Sequence, residues 1–422
     1  MRFMAENKSQ WGWAFYDWAN SAFATTVMVG FFPIFFKEYW ASDLSAVDST
    51  FWLGIANSTA SITIVILAPL LGALCDRSGL KKRLLLVFAA LGVVMTGGLF
   101  MVSHGHWELA ALLYLLAAIG FSAGNVAYDS LLVDIAPRNR LERISSLGYA
   151  MGYLGGGLLF ALNVFMVIQP EFFGLADASE AVRWAFLSVA VWWAVFTVPV
   201  LFFVEEADLK NKEKVSIRAA FDDLRHSISL LKQYPQAAYM LFAYWLYIDG
   251  VDTIARMSVD YGLAIGFDSK GLLTALLINQ VVSFPAALAF GYIGERLGAK
   301  HAIAWILLIY SFVVFWAWQM QHIWEFYVLA VIIGLIQGGV QALSRALYAR
   351  LIPAQQAGRF FGLYNMMGKF AVVVGPLLVA WVGVLTGDSR SGLLSVLVLF
   401  LLAAWFLSKV DVAAGERQAQ VS

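Results

Sequence analysis

Twelve runs of mostly apolar residues, each long enough to cross a bilayer as a helix, constrain this chain more than any other feature. They lie near 11–36, 51–74, 84–102, 108–133, 146–168, 182–204, 237–259, 271–293, 301–320, 325–348, 360–386 and 391–409. Inside hydrocarbon a backbone must satisfy its own hydrogen bonds, which leaves helices or a closed barrel. Barrel strands alternate in polarity, whereas these runs are continuously apolar. The expected fold is therefore an all-α integral membrane protein with twelve transmembrane helices. Composition agrees: of 422 residues 61% are hydrophobic and 13% charged, with mean hydropathy +0.75. A soluble core of that size does not hide so much apolar surface.

The formal net charge is zero, so no basic surface points to nucleic acid. A single cysteine, Cys75, forms no internal disulfide and no cysteine-type metal site. No cofactor is expected beyond a coupling ion, a proton or sodium. The opening "MRFMAENKSQ" runs straight into an apolar stretch too long for a cleavable signal, so the first span reads as retained. Orientation follows from lysine and arginine. With the N-terminus cytoplasmic, the inner loops collect 21 of the 28 basic residues and the outer loops four, Lys37, Arg183, Lys270 and Arg390. Both termini are thus expected on the cytoplasmic face of the inner membrane. The other three, Arg256, Arg345 and Lys369, fall inside spans.

The longest polar segment, 205–236, divides the chain into an N-terminal six-helix bundle (1–204) and a C-terminal one (237–422). In this linker Phe221, Leu224, Ile228 and Leu231 have helical spacing, so an amphipathic helix on the membrane surface is one reading and a solvated linker the other. The halves are related by sequence. "GALCDRSGLKK" (72–82) matches "GYIGERLGAKH" (291–301), and Pro137, Arg143, Leu147, Met151 and Gly152 match Pro353, Arg359, Leu363, Met367 and Gly368 at one offset of 216. More weakly, Asp17 and Asn20 of "YDWANS" answer to Asp249 and Asp252 of "IDGVDT". Two parallel six-span repeats are a transporter layout with its site near the membrane midplane.

The "GALCDRSGLKK" loop, with Gly72, Asp76, Arg77, Gly79 and Lys81, resembles the signature loop of the major facilitator superfamily. "YDWANSAF" together with "YIDGVDTI" resembles a narrower branch, the autophagy-related vacuolar amino-acid effluxer-like transporters and their bacterial relatives. The resemblance implies two pseudo-symmetric six-helix bundles, a central cavity lined by spans 1, 4, 7 and 10, and a signature loop that braces helix ends. In the second copy of that loop Glu295 replaces Asp and Ala299 precedes Lys300, which weakens the expected bracing.

Ionisable residues cluster in those four spans and in span 11: Asp17, Asp129, Asp249, Asp252, Arg256, Arg345 and Lys369. Charges at such depth face a watery cavity or each other. Asp129 and Arg345 stand at matching repeat positions with opposite charge, as do Asp134 and Arg350. These four are expected to form an inner gate between the halves. Asp17, Asn20, Asp249, Asp252, Arg256 and Lys369, with Asn365, Tyr16 and Trp245, are the candidates for handling solute and proton. Lys369 or Arg256 would take a carboxylate, and Asp249 or Asp252 an ammonium. Asp17 or Asp249 would carry the coupling proton. Plainer roles stand beside these: Asp252 and Arg256 neutralise each other at four-residue spacing, Asp17 pins helix backbones, and Lys369 pairs statically. "GYAMGYLGGG" (148–157) places glycines every four residues, a helix-packing stripe and not a nucleotide loop.

No GxxxxGK[ST] or HExxH motif occurs, and all five histidines fall in loops or at span edges, so neither an ATP motor nor an intramembrane hydrolase has its parts. The reading favoured is a secondary transporter, a monomer in the bilayer, moving a small polar solute by alternating access with proton coupling. The branch resemblance and the mixed-sign cavity favour an amino acid or related zwitterion. An exporter of drug-like or other metabolites, or a non-transporting receptor of the same fold, is the alternative.

Overall fold

The computed structural model describes residues 2–78, 80–206, 229, 231–264, 269–386 and 389–421, and nearly all of them are helical. In chain order the helices are α1 (Arg2–Ala22), α2 (Ala46–Ser78), α3 (Lys81–Gly98), α4 (Trp107–Ile135), α5 (Leu141–Ile168) and α6 (Ala178–Phe203), then α7 (Pro235–Ala264), α8 (Ser269–Leu297), α9 (Ala299–Gln319), α10 (Ile323–Leu351), α11 (Ala357–Thr386), α12 (Val396–Ser408) and α13 (Val412–Val421). α1 does not stop at Ala22. It continues through a π-helical stretch, Phe23–Phe31, a turn of α-helix, Phe32–Phe35, and a second π stretch, Phe36–Trp40. A short helix, Ser389–Leu394, leads into α12.

Ten spans are long and apolar enough to cross a membrane among the described residues. The two remaining long helices, α7 and α11, are the ones carrying Asp249, Asp252 and Lys369. Large apolar side chains stand exposed on outer flanks, among them Phe202, Val281 and Trp381. In a bilayer those flanks meet acyl chains, so exposure there costs nothing. The linker residues Phe221, Leu224 and Ile228 lie outside the described residues; Leu231 packs against the core.

Within the first half, α1 packs on α5 and α6, and α3 on α4 and α6; in the second, α7 packs on α11 and α12, and α8 on α10. The halves meet through two pseudo-symmetric pairs, α2 with α11 and α5 with α8. The glycine stripe of α5 brings α1 close. A Cβ on Gly148 would meet Trp13 and Asp17, one on Gly152 would meet Ser21, and one on Gly156 would meet Thr25. Asp17 and Ser21 are thereby pressed against α5, which fixes their place between the halves.

Candidate functional site: a cavity floored by an inter-half ion pair

The loops α2–α3, α4–α5, α8–α9 and α10–α11 and the helix ends beside them carry 11 of the 28 basic residues, and at this basic end the two halves are sealed. Asp76, in the last turns of α2, accepts the backbone N–H groups of Gly358 (2.7 Å) and Arg359 (2.8 Å) at the start of α11. An acceptor at a helix N-terminus satisfies donors that the helix leaves open. This contact spans the halves, so it braces helix ends as the signature-loop resemblance implies. It needs close approach: a Cβ on Gly72 would lie 2.8 Å from the Gly358 carbonyl carbon. Cys75 is buried in the same seam. Lys81 donates to Asp134 at 2.8 Å. The Arg77 side chain and Gly79 lie outside the described residues.

The second copy of the loop does not repeat this brace. Glu295 is exposed. There the seal is made by Arg350, whose guanidinium donates to both oxygens of Glu142 in the opposite half at 2.6 Å each. Arg350 also reaches Glu416 of α13 at 3.0 Å. Arg138 donates to the carbonyls of Arg350 (3.3 Å) and Ala419 (3.4 Å), tying α13 beneath the seam.

Above the seam lies a cavity of about 310 Å³ lined from both halves. Its floor is Arg345, only 2% exposed. The guanidinium donates to Asp129 Oδ1 (3.1 Å), to Ser145 Oγ (2.9 Å) and to the Ser145 carbonyl (2.9 Å), and lies 3.7 Å from Asp17 Oδ2. Its planar face covers the rings of Tyr149 (4.3 Å), Trp13 (4.8 Å) and Tyr128 (5.3 Å). Tyr128 donates its hydroxyl to Asp17 at 2.9 Å, and Asn365 donates to the second oxygen of Asp129 at 2.9 Å. Every charged member thus has a partner, as burial demands. One helical turn further from the seam the lining becomes neutral. Asn20 donates to Asn125 (2.8 Å) and Tyr153 to Gln341 (3.3 Å), with Ser21, Thr25 and Gln280 beside them. A larger groove of about 700 Å³ on the flank of α5 and α6 is lined almost wholly by apolar residues such as Leu162, Trp184 and Val195, and belongs to the lipid-facing surface.

The structure sorts the charged residues differently from the sequence pattern. Asp129 and Arg345 do meet across the halves. Asp134 and Arg350 do not: Asp134 is held by Lys81 in its own half, and Arg350 by Glu142. Matching repeat positions share depth and facing within their own bundles, which does not make them neighbours. Asp17 lies at the floor, 3.7 Å from Arg345. Asp249 is buried and turned away from the cavity; it accepts the Gly375 N–H at 2.9 Å, beside Pro376 of α11. Asp252 and Lys369 are half-buried and stand outside the cavity lining, as does Trp245. The Arg256 side chain lies outside the described residues. Tyr16 is buried behind the floor, its ring 5.2 Å from that of Tyr128. Asn20 and Asn365 line the cavity.

Several lining residues carry no charge and so escaped a search for intramembrane charges: Asn125, Gln341, Tyr149, Tyr153 and Tyr364. A signal for some of them existed. The offset of 216 that relates Asp129 to Arg345 also relates Asn125 to Gln341 and Tyr149 to Asn365. Glu142 and Glu416, which hold Arg350, sit near helix ends where carboxylates are ordinary.

The chain is similar to known proteins over nearly its whole length. Residues 45–420 match the family model described as vacuole effluxer Atg22 like. The MFS-type transporter YxiO of Bacillus subtilis (strain 168) is 36% identical over 405 residues, covering 96% of this chain and 95% of YxiO. Autophagy-related protein 22 of Eremothecium gossypii is 23% identical over 471 residues, covering 94% of this chain and 89% of its own. Among solved structures, the human organic anion transporter MFSD10 superposes with a TM-score of 0.76 at 17% identity, over 95% of this chain and 99% of MFSD10, a likeness of fold. The chain is a multi-pass membrane protein belonging to the Atg22-like effluxer family of major facilitator superfamily transporters.

Proposed function

We propose that this transporter moves an amino acid or a closely related zwitterion across the bacterial cytoplasmic membrane by alternating access, driven by protons, with both termini in the cytoplasm. One observation carries the reading: the floor of the central cavity is itself the ion pair that closes the basic end. Opening that end pulls Arg345 away from Ser145 and Asp129, which lie in the other half. Stripping a buried ion of its partner costs about 3–5 kcal/mol. A zwitterion supplies both replacements at once, its carboxylate for Arg345 and its ammonium for Asp129 or Asp17. These roles replace the ones first given to Lys369, Arg256, Asp249 and Asp252. A proton on Asp17, the carboxylate further from Arg345 at 3.7 Å, lets the guanidinium leave without exposing a second bare charge. The cavity of about 310 Å³ falls at the small end of ligand pockets, which suits one small solute.

The test is amino-acid uptake into proteoliposomes driven by an imposed pH gradient. Asp17→Asn should abolish accumulation while leaving solute exchange. Arg345→Lys should abolish both, since an ammonium reproduces neither the forked contacts nor the stacking. Wild-type accumulation by either variant removes that residue from its assigned role. Accumulation indifferent to the pH gradient removes proton coupling.

A further inference from the structure

Resting on the zwitterion reading, we propose that the site selects amino acids whose side chains end in a carboxamide or hydroxyl over aliphatic ones of similar size. The cavity lining is layered. Residues four apart on a helix are stacked with a rise of about 6 Å. Four residues from Arg345, Asp129, Asp17 and Tyr149, on the side away from the seam, stand Gln341, Asn125, Ser21 and Tyr153. All four line the same cavity. A solute whose carboxylate and ammonium engage the floor therefore carries its side chain up into this second ring.

That ring is neutral and hydrogen-bonding. The Tyr153 hydroxyl donates to the side-chain oxygen of Gln341, and Asn20 donates to the oxygen of Asn125. Gln341 lines the cavity, and among the described residues no acceptor meets its amide nitrogen. Apart from the faces of the tyrosine rings, Ala24 and Phe121 are the apolar members at this level and beyond, so a leucine or valine side chain seated here would leave amides without partners. A polar site rejects an analogue that lacks its hydrogen-bonding group, because the site's own groups then go unpaired. Asparagine, glutamine, serine and threonine have side chains of the right reach.

The test measures binding by the thermal midpoint of the purified protein in nanodiscs, titrated with single L-amino acids. L-asparagine or L-glutamine should bind about tenfold tighter than L-leucine, as expected when one hydrogen bond worth about 1.4 kcal/mol is lost. In Gln341→Leu the ratio of asparagine to leucine affinity should fall toward one or invert. Equal or tighter binding of leucine by the wild type overturns the inference while leaving the zwitterion reading intact. The wild-type ranking decides this even if Gln341→Leu does not fold. If no amino acid shifts the midpoint, the zwitterion reading falls and the inference falls with it.

Discussion

The two ends of α2 lie in opposite environments. Toward the basic end Ala68, Leu71, Ala73 and Cys75 are all buried, pressed against α11. Toward the other end Phe51, Trp52 and Ile55 are exposed, and a Cβ on Gly54 would touch nothing within 4 Å. α11 is likewise buried from Phe360 to Tyr364 at the basic end and exposed at Leu385 near the other. The halves are joined at the basic end and parted at the other, with the cavity between. What differs is not helix propensity, which is similar throughout, but what the sequence places where the halves meet. At the joined end there are glycines that permit contact, a carboxylate that caps a helix across the seam, and charges that find partners in the other half. At the parted end none of these occurs among the described residues.

Each difference can be removed. The largest effect should come from Gly358→Val, since even a Cβ there would lie 2.7 Å from Asp76 Oδ1 and from Cys75 Cβ. The joined end cannot then form as described, and crosslinks between α2 and α11 at that end should be lost. Next, Arg345→Ala leaves Asp129 and Asp17 buried without their cation and should cost about 3–5 kcal/mol, seen as a lowered thermal midpoint. Replacing Asp129 and Arg345 together by apolar residues should recover much of that loss while transport stays absent. Asp76→Ala removes the acceptor of two backbone donors, and each orphaned buried donor costs about 1–3 kcal/mol; opening of the seam should rise without loss of the bundles. Glu416→Gln should matter least. Its pair with Arg350 is solvated, with side chains 32% and 19% exposed, and such pairs are worth about 0.2–1 kcal/mol. A loss as large as that of Arg345→Ala would mean that α13 holds the seam in its own right.

The spans and the division into halves were readable because a bilayer filters sequences harshly. A run of 20 apolar residues has few other fates, and repeat spacing survives in Gly72 and Gly291, or Asp129 and Arg345. The floor was half readable: depth along a helix follows from counting residues, which puts Asp17, Asp129 and Arg345 all in the inner third of their spans. Direction around the helix axis does not follow from counting. Asp249 looked like the repeat mate of Asp17, yet it turns into its own bundle to meet Gly375, whereas Asp17 turns to Arg345. Partners supplied from near helix ends, such as Glu142 for Arg350, were hidden among ordinary carboxylates. The neutral ring was missed because asparagine, glutamine and tyrosine raise no alarm in an apolar run, although charge and amide do the same task at successive turns.

The chain carries its own reporter for the central claim, that the basic end is closed by α2 against α11 and must open for transport. Cys75 is the single cysteine, buried in that seam. The measurement is the labelling rate of Cys75 by a membrane-permeant maleimide, in the wild type and in Gly358→Val, against the rate in detergent-unfolded protein. The account predicts slow labelling of the wild type and labelling at least about tenfold faster in Gly358→Val, as a shift of 1.4 kcal/mol or more toward the open seam requires. Wild-type labelling as fast as that of the unfolded chain, or a variant no faster than the wild type, would contradict it.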